Sequence, residues 1–266
     1  MTFQEFVGRR AVITGGSQGI GFAVARLLHR QGASVVLVAR HLPALKHAAV
    51  QLSADGREGT IDYFPCDLGA DGELSDEFID FVQNRLGGLD YLVNAAGGAR
   101  VTGALQATWE QWHADFSVKF WGYFAMIRAL VPMLRANGRG AIVNIAGVSG
   151  VDPNSSLAVA GPVNAALRAL AKVLADELAT SQVRVVNIHP GATETALLTS
   201  MAEAYAARQA DAVDRVLDRM RTSTPLGRLP SADDVAALTC FLLSDQAALI
   251  TGTGIEIDGG VHRGLA

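Results

Sequence analysis

The eight residues from Thr14 to Gly21 read TGGSQGIG and join a β-branched run, RAVITGG (10–16), to a helical pattern over 19–31. Glycines at such a strand-to-helix turn let the backbone approach a pyrophosphate, whose charge is met by the N–H groups of the helix N-terminus. Gly15, Ser17, Gln18, Gly19, Ile20 and Gly21 are therefore the expected phosphate cradle, the other reading being a purely structural turn. At the end of the next apolar run, SVVLVAR (34–40), a free ribose 2′-hydroxyl would call for an acid. Ala39-Arg40 stands there instead, and a guanidinium suits a 2′-phosphate through charge-assisted hydrogen bonds. NADP(H) is thus expected over NAD(H), unless Arg40 is an ordinary surface arginine.

Chemistry beyond binding needs a group that moves a proton. The stretch AVAGPVNAALRALAKVLADEL (158–178) reads as a long helix, yet its first turns hold only alanine, valine, glycine, proline and asparagine. Pro162 is comfortable only in a helix's first turn, so Ala160 is expected at or before the helix start.

The elements that must position these residues alternate along the chain. Apolar runs at 10–16, 34–40, 59–67, 89–97, 140–147, 183–191 and 252–260 are separated by helical patterns at 19–31, 42–54, 72–86, 108–136, 158–178 and 231–243. Seven near-continuously apolar strands with helices between them predict an α/β fold, a doubly wound (Rossmann) parallel sheet with helices on both faces. No linker, repeat or low-complexity stretch divides the chain, so residues 1–266 are expected to form a single domain. The polar, alanine-rich stretch 194–224 is expected as a lid or substrate loop, or else as a surface helical hairpin.

These motifs together resemble the short-chain dehydrogenase/reductase family over the whole chain. TGGSQGIG is similar to its TGxxxGIG loop, CDL (66–68) to its adenine-contacting Asp-Leu, and NAAG (94–97) to its NNAG turn. NIHPGATET (187–195) is similar to its NxxxPGxxxT segment, and the last third also matches. The resemblance implies that Asp67 and Leu68 lie at the adenine. It implies that Asn94 sits at the sheet centre, with Ala95, Ala96 and Gly97 following. Pro190, Gly191 and Thr193 would lie beside the nicotinamide carboxamide. The family works with Asn, Ser, Tyr and Lys, the last two as YxxxK. The matching positions here are Lys119, Gly147, Ala160 and Asn164, so all four are changed. Asn164 would then take the place that meets the nicotinamide ribose.

Three side chains could substitute. Lys119 is a cation near the expected centre, or a solvated or ion-paired helix lysine. Ser149 lies two residues beyond Gly147. His189 precedes the Pro-Gly turn and could act as an acid near neutral pH, or be packed. His113, Trp109 and Trp112 read as packing residues.

Half of the 266 residues are apolar and 18% are charged, with a net charge of −4 and scattered basic residues, which argues against nucleic acid or acidic membrane surfaces as partners. No apolar run reaches a membrane span, and MTFQEFVGRR lacks a signal core, so a cytoplasmic protein with no membrane partner is expected. Cys66 and Cys240 lack metal or disulfide spacing and the histidines lack ligand spacing, so no metal is expected. A small-molecule substrate or ligand is the expected partner. A homo-oligomer, dimer or tetramer, is expected from the several apolar faces of the 163–178 helix, with a hetero-oligomer with an active relative as an alternative. The functional expectation is an NADP(H)-binding oxidoreductase working without the Tyr–Lys pair. The alternative is a non-catalytic NADP(H)-binding protein, a redox sensor or a partner subunit.

Overall fold

β-Branched runs pleat so that successive residues point to opposite faces, and here both faces are apolar. The computed structural model describes residues 5–54, 59–70 and 74–264; residues 72 and 73 of the helix expected over 72–86 lie outside them. Strands β1 (Arg10–Thr14), β2 (Ser34–Ala39), β3 (Ile61–Pro65), β4 (Tyr91–Asn94), β5 (Gly140–Ile145), β6 (Val183–Pro190) and β7 (Thr253–Ile257) form one parallel sheet, ordered β3-β2-β1-β4-β5-β6-β7. This is the doubly wound sheet expected from the alternation of elements.

Each face carries its own core. Ala11, Ile13, Val35 and Leu37 pack with Val24 and Leu28 of α1 (Gly19–Arg30) and with Val235 and Leu242 of α9 (Ala232–Leu243). Val12, Val36, Leu92 and Ile142 turn the other way. They meet α3 (Asp76–Leu86), α5 (Gly122–Ala136) and α6 (Ala160–Leu178) through Phe78, Val82, Met126, Leu130 and Leu174. The remaining helices are α2 (Leu42–Ser53), α4 (Trp109–Phe116), α7 (Ala196–Gln209) and α8 (Val213–Ser223).

Strand order reverses between β1 and β4, which run side by side from Ala11 opposite Tyr91 to Thr14 opposite Asn94. Connections leave that point in opposite directions and open a crevice at the strands' C-terminal ends, where such sheets bind ligands. The strands end one to three residues before the apolar runs do, and those residues become the loops of the crevice. Gly15, Gly97 and Gly147 are all in such loops.

One expectation fails in detail. The helical region over 108–136 is not a continuous α-helix: Ser117–Trp121 forms a π-helical turn between α4 and α5. The wider turn shifts the side chains that follow relative to α4, an effect that hydrophobic periodicity does not register. Lys119 lies inside it. The quoted helix begins at Ala160 rather than 158, with Val159 as its N-cap residue, so Pro162 falls in the first turn as expected.

Candidate active site

Two adjoining hollows occupy the crevice. The first, about 450 Å³, runs along the glycine loop and is lined by Gly15, Ser17, Gln18, Gly19 and Ile20. It continues past Ala39, Arg40, Asp67 and Leu68 to Ala95, Ala96 and Gly97. Gly15 has φ +67, and a Cβ there would lie 2.7 Å from Ala95 O, so only glycine lets the loop pass that close to the turn after β4. Gly21 does not line the hollow. A Cβ on it would lie 2.4 Å from Gly15 O, so its role is the tight approach of α1 to the loop. Helix α1 starts with neither a side-chain cap nor an acid in its first turn, which leaves its N–H groups for an anion. Arg40 is exposed on the rim beside His41. Asp67 accepts from Gly69 N–H at 2.9 Å. A dinucleotide fits these walls: a bare helix N-terminus for its phosphates, a guanidinium at one end, a carboxylate nearby.

Thr14 was not expected in a functional role, yet it sets the turn after β4. It is fully buried, and its Oγ1 accepts from Ala95 N–H at 3.0 Å and Ala96 N–H at 3.2 Å. Asn94 lines neither hollow. Its side chain donates to Asn144 Oδ1 at 3.0 Å, Asn144 donates to Asn187 Oδ1 at 3.0 Å, and Asn187 donates to Leu167 O at 3.0 Å. The three asparagines are opposite one another on β4, β5 and β6. Each such bond nets only about 1 kcal/mol, but an orphaned buried amide costs about 1–3 kcal/mol, so the ladder locks the sheet centre. Asn94 thus acts as a brace, consistent with the sheet-centre position that the resemblance implies.

The second hollow, about 310 Å³, adjoins the first and is lined by Gly147, Ser149, Asn164, Pro190, Gly191 and Thr193. Leu157 and, from α7 and α8, Leu197, Leu198, Met201, Tyr205 and Met220 make much of the rest apolar. Leu197, Thr195 and Lys119 belong to both hollows, as do Ile20 and the turn from Ala95 to Gly98.

The four positions that the resemblance sets against the family's working residues converge here. Ala160 is 6% exposed on the wall of the first hollow, while Gly147 and Asn164 are on the second. Asn164 donates Nδ2–H to Ser149 Oγ at 3.0 Å, and its buried Oδ1 has no partner. Ser149 reaches the site despite its two-residue offset because Val148–Gly150 forms a 3₁₀ turn that folds the chain back beneath Gly147. Lys119, half-buried, donates to Ala146 O. Burial pulls its pKa down to about 8, and Asp115 one turn earlier partly offsets this.

His189 lines neither hollow. It is fully buried on β6 with Nδ1 3.2 Å from Gly147 O, and Nε2 lacks a partner. Burial lowers its pKa, which opposes any service as an acid near neutrality. The strand's alternation decides this: Pro190 and Gly191 turn into the cavity while His189 packs against β7 at Gly254. Of the three residues expected to pack, only Trp112 is partly buried, its ring 6.3 Å from that of Phe116; His113 is exposed and Trp109 is 78% exposed, because their side of α4 faces outward.

The sequence alone assigns Tyr123 no role in the site. Its fully buried hydroxyl donates to Ala96 O at 2.7 Å, and burial drives its pKa far above the usual phenol value. Its spacing of four residues from Lys119 was the available signal. Among the described residues no group of three or more His, Cys, Asp or Glu could hold a metal ion, and both cysteines are free. No described helix is long and apolar enough to cross a membrane.

Comparison with known proteins agrees with this geometry. Residues 15–262 match the family model described as enoyl-(acyl carrier protein) reductase. The chain is 34% identical to 2,3-dihydro-2,3-dihydroxybenzoate dehydrogenase of Bacillus subtilis (strain 168), over 100% of both chains. It resembles L-sorbose reductase from Gluconobacter frateurii, solved with NADPH and L-sorbose, at 29% identity and a TM-score of 0.89, covering 99% of this chain and 100% of the other. It also resembles an NADPH-bound short-chain oxidoreductase from Pseudomonas aeruginosa PAO1 described as containing an atypical catalytic center. That match has 29% identity, a TM-score of 0.85, and covers 97% of this chain and 99% of the other.

Proposed function

The chain belongs to the short-chain dehydrogenase/reductase family, and on that premise we propose that it is an NADP(H)-dependent oxidoreductase of small molecules that works without a Tyr–Lys pair. The observation that carries this reading is the shared wall between the two hollows, which lets a dinucleotide in one meet a substrate in the other. Bound NADPH would supply a hydride at that wall. The NADPH-bound relatives support the cofactor class, and the preference for the 2′-phosphate rests on Arg40.

Ala160 and Asn164 occupy the positions of the family's tyrosine and lysine, and neither can transfer a proton. A positioned general acid is worth roughly 10²–10⁴ in rate, while orientation of donor and acceptor is worth about 7–11 kcal/mol. Loss of the pair therefore removes a minor share of the catalytic power available, and a well-positioned carbonyl, imine or enone retains a route to reduction. Helices α7 and α8 act in this reading as the substrate lid, since Leu198, Met201, Tyr205 and Met220 reach the second hollow. Their apolar lining favours a substrate with a hydrophobic body. Self-association is assigned to the face of α5 and α6, where Trp121 just before α5 is 58% exposed and Val173 61% exposed.

The test is titration with NADPH and NADH by fluorescence, followed by a panel of aldehydes, ketones, imines and enones read by nicotinamide absorbance. Tighter NADPH binding and oxidation by at least one member of the panel are expected. Tight binding with no oxidation by any compound would instead favour a sensor or a partner subunit.

A further inference from the structure

Among the described residues lining both hollows, Lys119 alone carries an ionisable side chain. The second hollow has two other ionisable groups, and each is committed elsewhere. Tyr123 O–H is spent on Ala96 O deep in the core. Tyr205 stands on α7, its hydroxyl engaged with the Ser156 side chain and its pKa raised by burial. Lys119 is different. An ammonium has three donors, and one is used on Ala146 O. The π-helical turn is what brings the amine to this wall.

We propose that Lys119 is the proton donor for carbonyl reduction in this protein, replacing the absent tyrosine from a different helix. The proposal rests on the reductase reading above. In the step, the carbonyl carbon takes a hydride from NADPH while Lys119 Nζ–H passes its proton to the carbonyl oxygen. The C=O π bond breaks, C–H and O–H bonds form, and NADP⁺, an alcohol and a neutral amine remain. The amine keeps its hydrogen bond to Ala146 O and regains a proton from water through the open crevice.

The charged surroundings suit that cycle. Asp115 on α4 favours the ammonium and is itself held by Arg100 at 3.4 Å. His189 on β6 is electrostatically coupled to Lys119 but is kept towards its neutral form by burial. Desolvation outweighs Asp115 and leaves the lysine near pH 8, where an acid donates readily and is still charged at neutrality.

The chain has three lysines, of which Lys46 and Lys172 are exposed, so amine chemistry can be read residue by residue. The first measurement is acetic anhydride labelling against pH, analysed by mass spectrometry, with and without NADPH. Lys119 is expected to label with a midpoint near 8 and to be protected by NADPH. An ordinary midpoint, or no labelling at any pH, would overturn the proposal.

The second measurement is NADPH oxidation with benzaldehyde, acetophenone and cyclohexanone as probes. In the parent, kcat should fall as pH rises through about 8. Lys119→Met should lower kcat roughly 10²–10⁴-fold and abolish that pH limb, with NADPH affinity within a few-fold. Lys119→Arg keeps the charge but does not release its proton, so it should fall as far; it also covers the case that the methionine variant does not fold. A variant that folds and keeps both rate and pH limb would overturn the proposal and leave the reductase reading intact. A parent that binds NADPH but reduces none of the probes would overturn both.

Discussion

Asn164 donates its side-chain N–H to Ser149 Oγ at 3.0 Å, and the two residues are 2% and 5% exposed. The asparagine uses a lone pair of the hydroxyl, so the Ser149 O–H remains free to donate. Ser149 lies on the wall of the second hollow, where a substrate oxygen would need a donor.

Ser149→Ala should therefore have two effects. Removing the acceptor orphans the buried Asn164 amide and costs about 1–3 kcal/mol of stability, measurable by urea unfolding. Loss of an oxyanion donor should also lower kcat by roughly 10²–10³. A stable alanine variant with an unchanged kcat would remove Ser149 from the site.

Placing Ser, Tyr and Lys at positions 147, 160 and 164 meets a backbone obstacle at one of them. Gly147 has φ +150, and a Cβ there would lie 2.8 Å from Asn164 Nδ2. Gly147→Ser alone is expected to cost about 1–3 kcal/mol through strain in a region nearly closed to L side chains. Ala160→Tyr with Asn164→Lys, on an unchanged Gly147, should thus raise carbonyl reduction more than the triple set that includes Gly147→Ser. Pro162→Ala should add little, because α6 already begins at Ala160. Equal rates in the double and triple variants would show that the strain is unimportant.

Arg40 stands exposed on the rim of the first hollow, next to Ala39, which offers no charge to repel a phosphate. Arg40→Ala should weaken NADPH by about 10- to 100-fold, the worth of a charge-assisted bond of about 1.5–3 kcal/mol, and leave NADH unchanged. Fluorescence titration measures both. Equal loss for the two cofactors would place Arg40 away from the 2′-phosphate.

His189 makes stability depend on acidity. Its folded pKa is lowered, first by burial, with the Gly147 carbonyl opposing. The unfolded chain therefore binds the proton more readily, and stability falls as pH drops below the unfolded value near 6.5. The slope from this residue is at most about 1.4 kcal/mol per pH unit and ends at the folded pKa. His189→Phe should be less stable at pH 8 through loss of the Gly147 bond, yet flatter on the acid side. Parallel acid limbs for the two proteins in urea unfolding would show that His189 does not titrate there.

Much of this was written in local order. Alternating apolar runs required a two-faced parallel sheet because both sides of each strand are apolar, and the glycine loop announced itself because its spacing serves a strand-to-helix turn. Ala39-Arg40 and the absence of any tyrosine between Tyr123 and Tyr205 are properties of the chain alone. What only the tertiary structure decided is which side chains face the crevice. The π-helical turn at Ser117–Trp121 aims Lys119 at a wall shared by two hollows, and the 3₁₀ turn at Val148–Gly150 returns Ser149 to the site. The pleat of β6 sends His189 into the core instead. A change of one residue per helical turn, or a step along a strand, redirects a side chain without altering the pattern of apolar residues that the sequence displays.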